Sequence, residues 1–232
     1  MLFRPFSMDL GVFHEIWDRE RYTAGSIGKI VEGGVVVDAG AQVGLFSVFA
    51  LKVLQARWVV SVEPDPSNFD LLSKNIQLNR IENATVVKAA VAGESGDRWI
   101  GFDSSNTGGH SFYDRRVLGR TVRAFSLTEL FDYLRISECS LLKLDCEGAE
   151  MEIFESASDK MLNKVSAISL EYHLEVYPLE RVLALRKRME KLGFVVEVRP
   201  SSKNLGILRA IRRYRTSDDQ ESRTFPRGSQ GP

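Results

Sequence analysis

The stretch GGVVVDAGAQVGLFSVFALKVLQA, residues 33–56, constrains the fold of this chain more than any other. A β-branched run, VVVD, ends on an acid and a glycine, and the almost wholly apolar segment 44–56 follows without a β-breaker. The first piece suits a strand buried on both faces, the second a helix packed against a sheet. A buried strand passing through a glycine turn into a buried helix is the opening of a βαβ unit.

The alternation continues. RWVVSVE (57–63) reads as a second strand ending on Glu63, and PDPSNFDLLSKNIQLN (64–79) opens a helix at Asp65-Pro66 with Phe69, Leu72 and Ile76 on one face. ATVVKAAVA (84–92) is a third strand. A Gly- and Ser-rich excursion follows, with strand-like RWIGF (98–102) and RTVRAF (120–125) around SSNTGGHS (104–111). SLTELFDYLRI (126–136) is helical, and Ser126 with Glu129 makes a capping-box pattern. SLLKLD (140–145), AEMEIFESA (149–157), SAISLEYH (166–173) and PLERVLALRKRMEKLG (178–193) continue strand, helix, strand, helix. FVVEVR (194–199) and GILRAIRR (206–213) close as two strands joined by a short turn.

This order predicts an α/β fold with a seven-stranded, mostly parallel sheet and helices on both faces. The short final connection makes the last strand antiparallel to the other six. Three segments are expected: an N-terminal helical lid over residues 1–30, with Phe13, Ile16 and Trp17 on one face; the main domain over 31–213; and a disordered tail over 214–232, poor in apolar residues.

Charge narrows the function. The 31 Lys and Arg balance 31 Asp and Glu, so no global basic excess argues for nucleic acid, although Arg209, Arg212, Arg213 and Arg215 form a local strip. Cys139 and Cys146 show no metal-type spacing, which suits a reduced setting. With no signal-peptide pattern and no apolar run of membrane-spanning length, a cytoplasmic chain without a membrane partner is expected.

The loop after the first strand has the spacing D-x-G-x-x-x-G, from Asp38 through Gly40 to Gly44, rather than the dinucleotide fingerprint. Glycines there let the backbone turn sharply and approach a ligand. An acid at the strand end suits a ligand with cationic groups, and S-adenosylmethionine, with its ammonium and sulfonium, fits. Glu63 is placed to accept from ribose hydroxyls. Taken alone, the same residues also fit an acid and a glycine that merely end a strand.

VVVDAGAQVGLFS, VVSVEPDPSNFDLLSKNIQLN, SNTGGHS, LLKLDCEGAE and SAISLEYH together closely resemble the FkbM family of S-adenosylmethionine-dependent methyltransferases, over roughly residues 10–200. Gln42 stands where that family usually has Asn. The resemblance implies a Rossmann-like methyltransferase fold and O-methylation of a sugar or natural-product hydroxyl. On this reading Asp38, Gly40, Ala41, Gln42, Gly44, Glu63, Pro64, Ala90 and Asp145 hold the cofactor. Asn106, Thr107, Gly108, Gly109 and His110 contact a small-molecule or glycan acceptor. An RNA or other macromolecule methyltransferase, or a non-catalytic binding protein that keeps the fold, is the alternative.

An alcohol nucleophile must lose its proton as the new bond forms, so a general base is expected. The ends of the fourth and fifth strands hold Asp145, Glu147, Glu171 and His173. Lys143, in an otherwise apolar strand, needs a buried partner, and Glu171 on the neighbouring strand is the expected one. That pairing leaves His173 as the base. Glu150, in the first turn of a helix, is expected to cap it, and Glu147 serves either substrate or turn. Asp145, Glu171 and His173 would also suit a metal ion, but a metal-free site is the expectation.

Overall fold

The computed structural model describes residues 1–101 and 119–213. In chain order its elements are α1 (Asp9–Trp17), α2 (Ile27–Val31), β1 (Val35–Ala39), α3 (Leu45–Lys52), β2 (Trp58–Val62), α4 (Pro66–Leu78), β3 (Ala84–Val87), β4 (Ala90–Val91), β5 (Gly96–Gly101) and β6 (Gly119–Phe125). There follow α5 (Leu127–Tyr133), β7 (Cys139–Leu144), α6 (Glu150–Ser156), α7 (Asp159–Leu162), β8 (Val165–His173), α8 (Leu179–Lys191), β9 (Phe194–Pro200) and β10 (Leu205–Arg212).

Seven strands form one sheet in the order β3-β2-β1-β7-β8-β10-β9. β10 runs antiparallel to both its neighbours, and the remaining pairs are parallel, as the short β9–β10 connection requires. β1 is buried along its whole length, with Val36 and Val37 fully enclosed. Apolar side chains on the two faces feed separate cores: Val37, Leu142 and Ile168 pack with Phe131 and Phe154 on one side. Val36, Leu141 and Ala167 pack with Ile27, Phe46 and Phe49 on the other. The chain leaves β1 first toward β2 and β3 and later toward β7 and β8. In open sheets of this kind the crevice beyond the carboxyl ends of the strands at such a reversal is where ligands bind.

Local signals explain most element ends. The Asp65 carboxylate accepts the Asn68 N–H at 2.8 Å, and Pro66 occupies the first turn of α4. Ser126 caps α5 by accepting the Glu129 N–H at 3.2 Å. The expected capping box is only half made, because Glu129 pairs with Arg123 at 2.8 Å and the Ser126 N–H goes to Ser95 Oγ.

The expected third strand, 84–92, is broken in two. β3 is an edge strand with β2 as its one neighbour, and its ladder ends where Glu63 N–H donates to the Val87 carbonyl. The Ala89 N–H turns back onto the same carbonyl. Beyond that turn the backbone finds partners in β6, and β4-β6-β5 form a small second sheet. The expected acceptor residues Asn106, Thr107, Gly108, Gly109 and His110, like the expected tail, lie outside the described residues.

Two of the four arginines of the expected basic strip, Arg209 and Arg212, are corrected, while Arg213 is exposed and Arg215 lies outside the described residues. Arg209 is buried, pairs with Glu197 at 3.3 Å and donates to the Arg21 carbonyl. The Arg212 guanidinium lies 4.2 Å from the Phe194 ring centroid and donates to the carbonyls of Leu162, Val165 and Leu192. Both are spent on holding the antiparallel edge together.

A direct test separates backbone strain from close approach. Gly33 and Gly40 both have positive φ, +67° and +75°, but a Cβ at Gly33 meets nothing within 4 Å, whereas one at Gly40 would lie 1.8 Å from the Asp145 carbonyl oxygen. Gly33→Ala should cost about 1–2 kcal/mol, the left-handed penalty alone. Gly40→Ala should cost clearly more in urea unfolding; equal losses would mean that the β1–β7 contact yields freely.

Candidate active site at the carboxyl edge of the sheet

A cavity of about 370 Å³ opens at the carboxyl ends of β1, β2, β7 and β8, with α1 supplying Gly11, Val12, Glu15 and Ile16 to its wall. At one end is the loop after β1. Its Gly40 and Ala41 N–H groups both donate to the Val62 carbonyl, which ties the turn to β2. Gln42 sits in left-handed backbone, φ +51°, and its N–H donates to Glu63 Oε2 at 2.8 Å. Its side-chain Nε2 is buried and has no hydrogen-bond partner among the described residues. A buried amide donor left unpaired is costly, so it marks a place where a ligand acceptor fits.

Glu63 is 4% exposed and accepts from three donors: Gln42 N–H, Asp65 N–H at 2.9 Å and Asn68 Nδ2 at 3.3 Å. Burial nevertheless pushes its carboxyl up to about 7. Asn68 also accepts from Arg4 at 2.6 Å, and Arg4 pairs with the buried Asp9, so the start of the chain is locked onto this end of the site.

Asp38 is not part of the cavity wall. It is fully buried behind the loop, where Ser47 Oγ donates to it at 2.6 Å and Lys143 Nζ stands 3.1 Å away. Lys143 also donates to the Gly40 carbonyl at 2.8 Å and lies over the Tyr22 ring. The expected Lys143–Glu171 pair is therefore corrected. Asp38 and Lys143 are direct partners in the β1–β7 register, so their side chains emerge on the same face. Burial would lower the Lys143 pKa, yet the charges of Asp38 and Asp145 prevail and raise it. Burial pushes Asp38 the other way, up, and Lys143 and Ser47 oppose it; direct contact with a held ammonium keeps the pair ionised.

The far end of the cavity brings together Asp145, Glu147, Glu171 and His173, the four residues expected to carry the chemistry. Glu147 has φ +50° and precedes Gly148 at φ +105°, a kink that turns its carboxylate back toward β8. Glu171 pairs with Arg21 at 2.5 Å, not with Lys143, and the Tyr22 hydroxyl lies 2.9 Å from Asp145 Oδ2 and 3.2 Å from Glu171 Oε2. Burial, then the charge of Asp145, pushes Glu171 up to about 8, against the pull of Arg21. Burial likewise pushes Glu147 up to about 7. Arg21 and Tyr22 were not expected in the site. They lie in the segment RYT, far from β7 and β8 in the chain, and nothing local distinguishes them from a solvated turn.

His173 is corrected as the expected base. Its Nε2 is 3.3 Å from Glu147 Oε2 and its Nδ1 3.5 Å from Glu150 Oε1. Burial would lower its pKa, but the two carboxylates outweigh burial and hold it up to about 12. A ring that already carries its second proton cannot take another. Glu150, fully buried, does not cap α6 through that helix's own N–H groups. It accepts from Cys146 N–H at 2.8 Å, Gly148 N–H at 3.1 Å and Tyr177 OH at 3.0 Å, and so fixes the loop ahead of the helix.

With this geometry in hand, comparison with known proteins decides the family. The model of the methyltransferase FkbM domain matches residues 38–196, which include both ends of the cavity. The chain belongs to the FkbM methyltransferase family. It is 23% identical over 192 residues to Methyltransferase sdnD of Sordaria araneosa, covering 69% of this chain and 73% of that protein. Methyltransferase FkbM of Methylobacillus flagellatus shares the fold at a TM-score of 0.55 with 14% identity, over 77% of this chain and 43% of that one. The chain thus matches less than half the length of that structure. Magnesium protoporphyrin IX methyltransferase of Synechocystis, solved with bound S-adenosylmethionine, matches 92% of this chain and 86% of its own at a TM-score of 0.52 and 13% identity.

Methyltransferases of this family take their methyl group from S-adenosylmethionine. The residues present fit that molecule: an unpaired buried amide on Gln42, a buried acceptor on Glu63, and carboxylates at the opposite end for its cationic part.

The Asp38–Lys143 pair can be tested for its part in building the site. Lys143→Met should cost about 3–5 kcal/mol in chemical unfolding by leaving Asp38 charged, buried and unpaired. The double variant Asp38→Asn/Lys143→Met should lose less than the sum of the two single losses. Strict additivity would show that the two side chains act independently.

Proposed function

We propose that this chain is an S-adenosylmethionine-dependent O-methyltransferase acting on a hydroxyl of a sugar-like or natural-product small molecule. The observation that carries this reading is one cavity with two unlike ends, a buried amide and acid at the β1–β2 loops and a carboxylate cluster at the β7–β8 ends. When bound, S-adenosylmethionine supplies a methyl group already activated on a sulfonium. The protein's work is to hold, align and deprotonate.

In this reading Glu63 accepts from the ribose hydroxyls, and Gln42 donates to the cofactor through its unpaired amide. Gly40 and Gly44 let the loop turn where a Cβ would strike the Asp145 carbonyl and the Leu72 side chain. Pro64, Ala41 and Ala90 line the pocket beside them. Asp145 and Glu147 face the acceptor. The bound cofactor would supply its methyl group to the acceptor oxygen as the bond to sulfur breaks, and Asp145 or Glu147 would take the hydroxyl proton. His173 stays cationic and positions Glu147. Tyr22 and Arg21 hold Asp145 and Glu171 in place.

A small acceptor is favoured over RNA. The acceptor end is crowded with carboxylates, which repel phosphate, and Arg209 and Arg212 are committed inside the fold. Among the described residues no helix is long and apolar enough to cross a membrane.

Two measurements test this reading. Asp145→Asn should lower kcat about 10²-fold or more in transfer of labelled methyl to a hydroxyl acceptor, with an unchanged melting temperature. Near-normal turnover by that variant would remove Asp145 from the chemistry. For the cofactor, calorimetry should show S-adenosylhomocysteine binding that tightens, by up to about tenfold, as pH rises from about 6 to about 8. The sign follows from Glu63: below its value of about 7 it is protonated, and ribose hydroxyls prefer the carboxylate. Glu63→Gln should weaken binding and remove its share of the profile, leaving what Glu147 and Glu171 contribute in the same range.

A further inference from the structure

The geometry points to a binding site for one divalent first-row transition ion formed by Asp145, Glu147 and His173. Each of the three offers a ligand atom, and the three atoms lie within 4.8 Å of one another. Around one ion at about 2.1–2.2 Å, neighbouring ligands stand about 3.0 Å apart and opposite ones about 4.3 Å. His173 Nε2 and Glu147 Oε2 are 3.3 Å apart, close to that edge. The trio lies on the cavity wall, which gives an ion a way in and leaves its remaining positions facing the ligand space.

Acidic groups near one another are common without an ion, and the case rests on the histidine. His173 is 4% exposed, yet among the described residues its Nδ1 has no hydrogen-bond partner and its Nε2 contact with Glu147 is long. A ring so deeply buried is ordinarily held by short bonds. What stands behind it is the arrangement that metal-bound imidazoles use, with one nitrogen on the ion and the other N–H facing a carboxylate. That carboxylate is Glu150, 3.5 Å from Nδ1 and itself anchored by Cys146 N–H, Gly148 N–H and Tyr177 OH. The ion would take the place of the Nε2 proton, and the long Nδ1 contact would shorten once that nitrogen is drawn to it.

The donor set selects the ion. One imidazole with two carboxylates suits manganese, iron or cobalt better than calcium or magnesium, which take oxygen alone. The set differs by one residue from the sequence-based alternative, because Arg21 holds Glu171 and the Glu147 kink brings a different carboxylate to His173. The role at an acceptor rests on the methyltransferase reading: the ion would bind the acceptor hydroxyl and weaken its O–H bond, and the proton would pass to the free oxygen of one of its carboxylate ligands, Asp145 or Glu147. The site itself does not rest on that reading.

Manganese tests it directly. Titrating Mn²⁺ into the untagged full chain, with the free ion followed by electron paramagnetic resonance, should show one bound ion per chain. Glu147→Gln and His173→Ala should each weaken binding about tenfold or more, while Glu175→Gln on the same wall should not. Glu147→Gln, conservative and at a side chain 30% exposed, should melt within a few degrees of the parent. No binding up to about 1 mM, or binding that both variants keep, overturns the site. S-adenosylhomocysteine binding in the same samples separates the two readings. Cofactor binding without manganese leaves the methyltransferase standing and removes the ion, and manganese binding without cofactor does the reverse.

Discussion

The site depends first on the buried contact between Asp38 and Lys143. It joins the carboxyl ends of β1 and β7, the two strands between which the sheet changes direction. Taking two charges out of water is expensive and is offset only by close pairing and further hydrogen bonds. Both are present: Ser47 completes Asp38, and the Gly40 carbonyl completes Lys143. Through that last bond the pair reaches the glycine loop. The loop in turn presses so closely on the Asp145 backbone that no side chain fits at Gly40. Lys143 lies on the cavity wall and Asp38 behind it, so the pair braces the glycine loop against the end of β7.

Around that frame the fold concentrates negative charge and then restrains it. Asp145, Glu147, Glu150 and Glu171 converge from β7, the loop after it and β8, and each is met by a group from elsewhere. Arg21 and Tyr22 come from the N-terminal segment, Tyr177 from the turn before α8, and His173 stands between Glu147 and Glu150. Burial, and after it the charge of Asp145 nearby, holds Glu147 and Glu171 above the ordinary range. The negative charge gathered there attracts a cation, whether a sulfonium, a proton on histidine or a metal ion.

Much of the fold is legible in the chain because its signals are local. Asp65-Pro66 opens α4, Ser126 caps α5, and the β-branched run at 35–37 is buried as a strand. The break after Val87 was not legible, since ATVVKAAVA is apolar but for Thr85 and Lys88 and the change of partner from β2 to β6 is a tertiary event. The half-made capping box at Glu129 failed for a similar reason: Arg123 on the adjacent strand offers a charged partner that sequence spacing does not reveal.

By itself the sequence determined the strand–helix alternation, the antiparallel last strand and the acids and glycines at the strand ends, because period, punctuation and connection length are properties of neighbouring residues. Tertiary structure alone decided the pairings. Lys143 meets Asp38 rather than Glu171 because strand register, not strand adjacency, chooses which side chains share a face. Arg21 and Tyr22 enter the site because the N-terminal segment packs over the sheet's carboxyl edge. His173 is held as a cation rather than left as a base because Glu147 and Glu150 reach it from a loop whose kink no spacing rule announces.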